Sequence, residues 1–269
     1  MPVSLDQIVH STRGKVTAAK RTADVRELGR RAERHVPRGF RRALEEKSKA
    51  GIAVIAELKK ASPSKGLIRA EFCVEQLAKE LEAAGAAALS VLTDQEFFQG
   101  SLGNLRNASA AVKIPCLRKD FIVDEFQLLE ARAYSADAVL LIVAALTQTE
   151  LTALALGARA RGLDVLCEVH DESELQRALD ADCDLIGVNT RDLRTFKVDP
   201  ETAFRLAERL PKNVVRVAES GIRSGEDIAR RRDAGYQAVL IGETLMRAVS
   251  PGETLRELVA STRYPVPST

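Results

Sequence analysis

The sequence predicts an α/β fold, a single (β/α)8 TIM barrel with an N-terminal helical extension. Three observations carry that prediction. Eight short apolar runs, AVIAEL, ALSVLT, IPCLRK, AVLLIV, DVLCEV, LIGVN, VVRVAE and AVLIGE, begin near residues 53, 88, 114, 138, 164, 185, 214 and 238. Stretches with helical spacing of apolar residues separate them, so strand and helix alternate as a parallel sheet requires. The length of 269 residues with 45% hydrophobic content suits one barrel, whose usual size is roughly 250 residues.

Taken in order, residues 1–50 precede the first run, and patterns such as SLDQIVHSTRGKVTAAK predict helices that cover the barrel or one of its openings. The boundary falls at residues 50 and 51, with 51–269 forming the barrel and the whole chain forming one domain. Helices are expected in CVEQLAKELEAAG, EFQLLEARAYS, TELTALALGARARG from Thr149, ESELQRALDA, PETAFRLAERL and SGEDIARRRDAG. In the first, Val74, Leu77 and Leu81 recur at helical spacing, while Gly85 and Gly162 suit C-terminal caps. The strand runs are continuously apolar, as strands covered on both faces are, and no doubly wound fingerprint accompanies them, so closure into a barrel follows. Residues 250–269, ending YPVPST, read as a last helix and a frayed tail.

Composition excludes several classes. The net charge is +2, yet residues 1–50 hold 13 Lys/Arg against 6 Asp/Glu, which is +7 and leaves −5 for the remainder. The basic segment RRAERHVPRGFRR lacks interleaved aromatic residues and any nucleic-acid motif, so a solvated helix face or a field that attracts an anionic small substrate accounts for it. No segment approaches the roughly 20 apolar residues of a membrane span, and the N-terminus lacks the apolar stretch of a secretory signal. A cytoplasmic location without membrane partners is the expectation. Cys73, Cys116, Cys167 and Cys183 form no C-x-x-C pair, and reduced thiols follow.

Strand parity converts the fold into a site. Side chains alternate across a strand, so Ile55, Glu57 and Lys59 share a face, as do Leu117 with Lys119, Leu166 with Glu168 and Val217 with Glu219. The apolar members fill the barrel, and the polar ones, with Asn189, stand at the C-terminal rim where such barrels carry their active sites. A single charge at a strand end is ordinarily solvated or ion-paired. Convergence of five polar residues from different runs points instead to chemistry.

The loop ELKKASPSKG, with LRKDFIVDEFQ, CEVH, GVNTRDL, AESGI and IGETLM in that order, resembles indole-3-glycerol phosphate synthase over essentially the whole chain. That resemblance implies conversion of 1-(2-carboxyphenylamino)-1-deoxyribulose 5-phosphate to indole-3-glycerol phosphate, carbon dioxide and water in tryptophan biosynthesis. It implies neither a metal nor an organic cofactor. Lys119 is then a general acid at the carbonyl oxygen, and Lys59 holds the substrate carboxylate and can donate a proton later. Glu168 is the base or proton shuttle, Glu57 orients Lys119 or stabilises cationic intermediates, and Asn189 and Glu219 complete the catalytic set. Two neighbouring ammonium groups, partly buried, are expected to lower each other's pKa. His170 shares the parity of Glu168, but the resemblance gives it no part and a lone histidine is more often structural.

For the phosphate, the resemblance implies Ser220-Gly221 and Gly242-Glu243 after the seventh and eighth runs, with Ser62 and Arg191 as further contacts. Phe98 and Phe121 match its apolar pocket for the anthranilate ring. Pro63 and Gly66 suggest a first loop mobile enough to close over substrate. Leu58, Thr190 and Glu243 depart from the family pattern without removing a catalytic type. Two other classes fit the residues: an imine-forming aldolase-like barrel using Lys59 or Lys119, and a non-catalytic barrel that binds phosphorylated metabolites. A phosphoribosylanthranilate isomerase would instead rely on a Cys and Asp pair, and Cys116 points away from Lys119. The expected partner is a phosphorylated small molecule, and the sequence specifies no oligomeric partner.

Overall fold

A computed structural model describes residues 4–192 and 198–260. Eight parallel strands close on themselves: β1 (Ala53–Leu58), β2 (Ala88–Leu92), β3 (Cys116–Lys119), β4 (Ala138–Ile142), β5 (Asp164–Val169), β6 (Leu185–Asn189), β7 (Val215–Glu219) and β8 (Ala238–Ile241). Each pairs with its neighbours in sequence, and β1 pairs with both β2 and β8. The barrel expectation holds in every strand. Two begin later than their apolar runs, β3 at Cys116 and β7 at Val215. For β3 the reason is that Ile114 and Pro115 lead in, and Pro lacks the N–H that a central strand needs.

Parity sorts the interior into two apolar clusters. Ala53, Ile55, Leu117, Leu140, Leu166, Val217 and Leu240 fill the barrel, whereas Val54, Leu89, Cys116, Leu141, Cys167 and Val239 face the surrounding helices. All four cysteines are free thiols, three of them buried. Capping places the helix starts: Asp124, Asp171 and Ser224 each accept a backbone N–H from the first turn that follows them. At the other ends Gly85 and Gly162 adopt φ of 103° and 73°, the left-handed geometry that lets a helix turn directly into the next strand.

The N-terminal segment forms α1 (Leu5–Thr22), α2 (Val25–Glu33) and α3 (Phe40–Ser48). Phe40 and Leu44 of α3 are fully buried and share the inner cluster with Ala53, Ala88, Ala138 and Ala238, residues at the starts of four strands. Small side chains there leave the lower end of the barrel open, and two large ones from α3 fill it. α1 lies at the opposite end, where Leu5 and Ile8 reach the mouth. The predicted helical cover therefore closes the lower opening with α3 and borders the mouth with α1.

An ion-pair cluster fastens α3 to the barrel floor. Asp137, with no exposed surface, lies 3.0 Å from His35 Nε2 and 2.6 Å from Arg38 Nη2, and it accepts from the backbone N–H of Cys116 at 2.6 Å. Burial pushes its carboxyl up, but the bonds from His35 and Arg38 outweigh burial and hold it below its ordinary value. Elsewhere, no helix among the described residues is long and apolar enough to cross a membrane. The expected tail, residues 261–269, and Leu193 of the GVNTRDL motif lie outside the described residues.

Removing one partner of a buried ion pair strands the other, so Asp137→Ala is expected to destabilise the fold by about 3–5 kcal/mol in urea unfolding at pH 7. A loss below about 1 kcal/mol would show that the apolar plug alone holds the extension. Because the folded carboxyl is depressed, this contribution is present above the unfolded value of about 3.9 and disappears as pH falls through the lower folded value.

Candidate active site

Inward parity carries Glu57, Lys119, Glu168, Asn189 and Glu219 to the C-terminal rim, one from each of β1, β3, β5, β6 and β7. The β6–β7 register sets Asn189 directly beside Glu219. Lys119 Nζ lies 3.5 Å from Glu168, 3.5 Å from Glu219 and 3.9 Å from Glu57. All three carboxylates are buried, and the ammonium is mostly so. Lys59, just beyond β1, forms the shortest of these pairs, 2.8 Å from the other oxygen of Glu57. Glu57 therefore bridges the two lysines rather than serving Lys119 alone.

This arrangement reverses one expectation. Burial pulls the Lys119 pKa down, but Glu168, Glu219 and Glu57 together more than compensate, and the ammonium is held above its ordinary value. The expected lowering by a second ammonium fails because Glu57 stands between the lysines and two further glutamates face Lys119. The carboxylates divide unequally. Glu57 is depressed, since its two lysines outweigh burial. Glu168 is also depressed, held by Lys119 and His170 against burial. Glu219 is raised, first by burial and then by the negative charge of Glu168, against the opposing pull of Lys119. Of the three, Glu219 is therefore the carboxyl with the strongest tendency to hold a proton.

Two glycines make room for this cluster. A Cβ on Gly187, which faces inward on β6, would collide with the Glu219 carboxylate, and one on Gly242 would collide with that of Glu57. Gly242 thus has a spatial role beyond any phosphate contact. The absent side chain of Gly187, which the pattern of runs does not mark, is what lets a carboxylate from the next strand lie across it.

Asn189 and Ser220 form a second layer. Asn189 Oδ1 accepts from the Ser220 hydroxyl at 2.8 Å and from the Arg191 backbone N–H at 3.0 Å. Ser220 and Gly221 both adopt left-handed φ, 67° and 70°, turning the chain sharply at the mouth. Ser220 holds that strained geometry with its hydroxyl bonded to Asn189.

Above the glutamates the mouth encloses a cavity of about 690 Å3, within the range of small-molecule sites. Its ends differ. Phe98 and Phe121, with ring centroids 6.2 Å apart, form an apolar wall to which α1 adds Leu5 and Ile8. The other end carries Ser62, Arg191, Gly221, Gly242 and Glu243, all on the cavity wall as the sequence suggested, together with Lys65, Arg223 and Arg247, which it did not. Lone cations in loops carry no periodic signal. Glu243 is itself neutralised: it lies 3.0 Å from Arg247 and 4.0 Å from Lys65. Burial pushes its carboxyl up, but these cations prevail and hold it below its ordinary value. The first loop, expected to close over substrate, borders the cavity through Ser62, Pro63, Ser64 and Lys65. It folds as a short antiparallel hairpin, Ala61–Ser62 against Gly66–Leu67, tied by Lys60 O accepting from Ile68 N–H at 2.8 Å.

His170 also enters the site. Its Nε2 is 3.4 Å from Glu168, a contact that its position two residues beyond the glutamate allowed and that a structural role alone did not anticipate. Among the described residues no group of three or more metal-ligating side chains is placed to hold a metal ion.

The family model for indole-3-glycerol phosphate synthase matches residues 5–258. The chain is 63% identical over 259 residues to the indole-3-glycerol phosphate synthase of Koribacter versatilis (strain Ellin345), covering 96% of this chain and 100% of that one. It is 50% identical over 222 residues to the same enzyme of Desulfotalea psychrophila, covering 82% and 85%, and 47% identical over 255 residues to that of Burkholderia ambifaria, covering 94% and 98%. Among solved structures, a 3-hexulose-6-phosphate synthase superposes with a TM-score of 0.63 at 14% identity, covering 78% of this chain and 99% of that one. Thiamine phosphate pyrophosphorylase from Pyrococcus furiosus follows at 0.59 and 17%, covering 81% and 97%. At these identities the superpositions speak for the barrel alone.

Adding a methyl group at either vacant position should disturb the cluster without opening the fold. Gly187→Ala and Gly242→Ala are expected to lower kcat by roughly 10-fold or more, because small displacements of reacting groups carry such costs. Steady-state kinetics beside thermal unfolding would check this, and unchanged kcat in both variants would remove the steric argument.

Proposed function

The chain belongs to the indole-3-glycerol phosphate synthase family, and we propose how its barrel mouth carries out that family's ring closure. It is a carboxy-lyase of tryptophan biosynthesis, and the substrate proposed is 1-(2-carboxyphenylamino)-1-deoxyribulose 5-phosphate. One observation carries the mechanistic reading: a buried ammonium within 4 Å of carboxylates from three different strands. An ammonium so placed stays protonated throughout the neutral range. It is a loaded acid.

In the proposed sequence the aromatic carbon bearing the carboxylate attacks the ribulose carbonyl, and Lys119 donates its proton to the oxygen as charge develops there. A raised pKa does little harm to this step, because a developing alkoxide is a far stronger base than a lysine amine. Loss of carbon dioxide from that attacking ring carbon returns an electron pair to the ring. The new hydroxyl then leaves as water, with Lys59 positioned to supply its proton and Glu168, held ionised, to accept the one released as the indole forms. Asn189 can donate and accept without titrating, so it orients hydroxyl groups. Glu57 pairs with both lysines and helps keep Lys119 charged, and Glu219 is the carboxyl that most readily holds a proton.

Substrate orientation follows from the unequal ends of the cavity. The aromatic ring lies against Phe98 and Phe121, and the phosphate meets Ser62, Arg191, Ser220, Gly221 and Gly242, with Glu243 giving only its backbone. Lys65, Arg223 and Arg247 add positive charge there. We place the enzyme in the cytoplasm, where such a phosphorylated metabolite is made.

The imine-forming alternative is disfavoured by the same geometry. A lysine nucleophile must present a neutral amine, and the glutamates hold Lys119 as a cation. Borohydride added with substrate should leave no covalent adduct.

Purified protein should generate indole-3-glycerol phosphate, seen as rising indole fluorescence, and Lys119→Ala should abolish the rise. Absence of fluorescence with authentic substrate would overturn the assignment. Glu168→Gln should lower kcat by roughly 100-fold or more with KM nearly unchanged; undiminished turnover would remove Glu168 from the reaction. Because the active carboxylate is depressed and the active ammonium raised, kcat should retain both ionisations from below about pH 4.3 to above about pH 10.4, the ordinary values of the two groups. A steep loss tracking either ordinary value, with the fold intact, would contradict that pairing.

A further inference from the structure

His170 follows the last residue of β5 and is held between two carboxylates. Its Nδ1 lies 2.9 Å from Glu174 Oε2, the same oxygen that accepts the His170 backbone N–H at 2.8 Å. Its Nε2 lies 3.4 Å from Glu168 Oε1. A neutral imidazole has one N–H and one lone pair, so one carboxylate would face a lone pair. Nε2 is buried without a hydrogen-bond partner, so its contact with Glu168 is an ion-pair approach rather than a hydrogen bond, and only the cation sets positive charge against both carboxylates.

We propose that His170 is a positioning residue of the reaction: an imidazolium, clamped by Glu174, that aims Glu168 and keeps it ionised, leaving Glu219 as the carboxyl that holds a proton. This rests on the reading of Glu168 as the proton acceptor. Glu168 then has one oxygen toward each cation, Oε1 toward His170 and Oε2 toward Lys119 at 3.5 Å. With Glu219 protonated, the negative charges of Glu57, Glu168 and Glu174 balance the positive charges of Lys59, Lys119 and His170. Removing the imidazolium leaves a surplus negative charge in a buried site, which favours protonation of Glu168.

The neighbouring strands supply no competing charge, and Asp171, next in sequence, is engaged as the N-cap of the helix Glu172–Asp180. Strand β4 and the turn Val143–Ala145 carry none, and β6 contributes the neutral Asn189. Arg177, on the helix Glu172–Asp180 that carries Glu174, is turned to the carbonyls of Val143 and Leu146. The Cys167 thiol stays neutral, raised first by its bond with Cys183 and then by burial. In keeping with the geometry, burial lowers the imidazole pKa but Glu168 and Glu174 outweigh it, and the group is raised to about 10.

The test uses His170→Gln and Glu174→Gln in the full chain. In His170→Gln the acidic limb of kcat should move upward by about one pH unit or more, as expected when a carboxylate loses a nearby positive charge. Above that limb kcat should recover to within roughly 3-fold of the parent, with KM unchanged. A merely structural histidine would lower kcat equally at all pH values or leave the limb in place, and either result overturns the proposal. Independently, 15N-histidine spectra of the parent enzyme at pH 8 should show both His170 nitrogens protonated, and Glu174→Gln should lower the titration midpoint. A neutral ring at pH 8 overturns the proposal even if His170→Gln fails to fold. If Glu168→Gln retains full turnover, the base assignment fails instead, and the spectra still report whether the imidazolium exists.

Discussion

The site depends on one constraint: three buried carboxylates must share a single ammonium. Charges of one sign, gathered where water is scarce, repel strongly and tend to neutralise by taking up protons. Lys119 limits that tendency, and the unequal distribution of further cations decides which carboxyl most readily holds a proton. Lys59 binds Glu57 and His170 meets Glu168, whereas no other cation pairs with Glu219 among the described ion pairs. The result is a set of groups of similar chemistry in different states: two carboxylates able to accept protons, one with the strongest tendency to hold a proton, and an acid kept charged. Divergent environments for neighbouring titratable groups are a general route to assigning acid and base roles.

That electrostatic arrangement is possible because the barrel supplies vacancies as well as side chains. Gly187 and Gly242 stand where a methyl group would occupy carboxylate space. The barrel also lends rigidity, since Glu57, Lys119, Glu168 and Glu219 stand at the ends of strands hydrogen-bonded on both sides. The lower half is sealed by Phe40 and Leu44 over a ring of alanines, and the Asp137 cluster locks that seal. Stability is thus concentrated at the strand starts and chemistry at the strand ends, the division general to this architecture.

Much of this was legible in the sequence, for a definite reason. A strand has period two, so an apolar residue two positions before a glutamate places that glutamate inward whatever the rest of the fold does. Glu57, Lys119, Glu168 and Glu219 could be assigned to one rim on that ground alone. The sign of the Lys119 shift could not, because it depends on whether an ammonium or a carboxylate stands nearer, and alternation fixes faces rather than distances. Leu5 and Ile8 were hidden for a related reason: the amphipathic pattern of α1 shows that one face is buried but not what it is buried against. Lys65, Arg223 and Arg247 lie in loops, where no period operates. His170 had the right parity, and what was missing was Glu174, whose carboxylate closes back from the first turn of the next helix and turns a bystander into a clamp.

The hydrogen bonding of the cluster bears on why it is built this way. Glu168 Oε2 and Glu219 Oε1 are buried without a hydrogen-bond partner, although both glutamates face Lys119. Leaving a buried acceptor unsatisfied costs about 1–3 kcal/mol, so a barrel selected for stability alone would fill these positions with apolar groups. Both side chains line the cavity where reacting atoms must lie, although the two oxygens themselves have almost no exposed surface. Turning either carboxylate toward a polar group of a substrate would satisfy it, and the interaction is strongest when the arriving group carries a proton to transfer. Such a site binds the charge distribution of a reaction in progress better than that of the resting state, which is the condition for accelerating the step rather than merely holding the substrate.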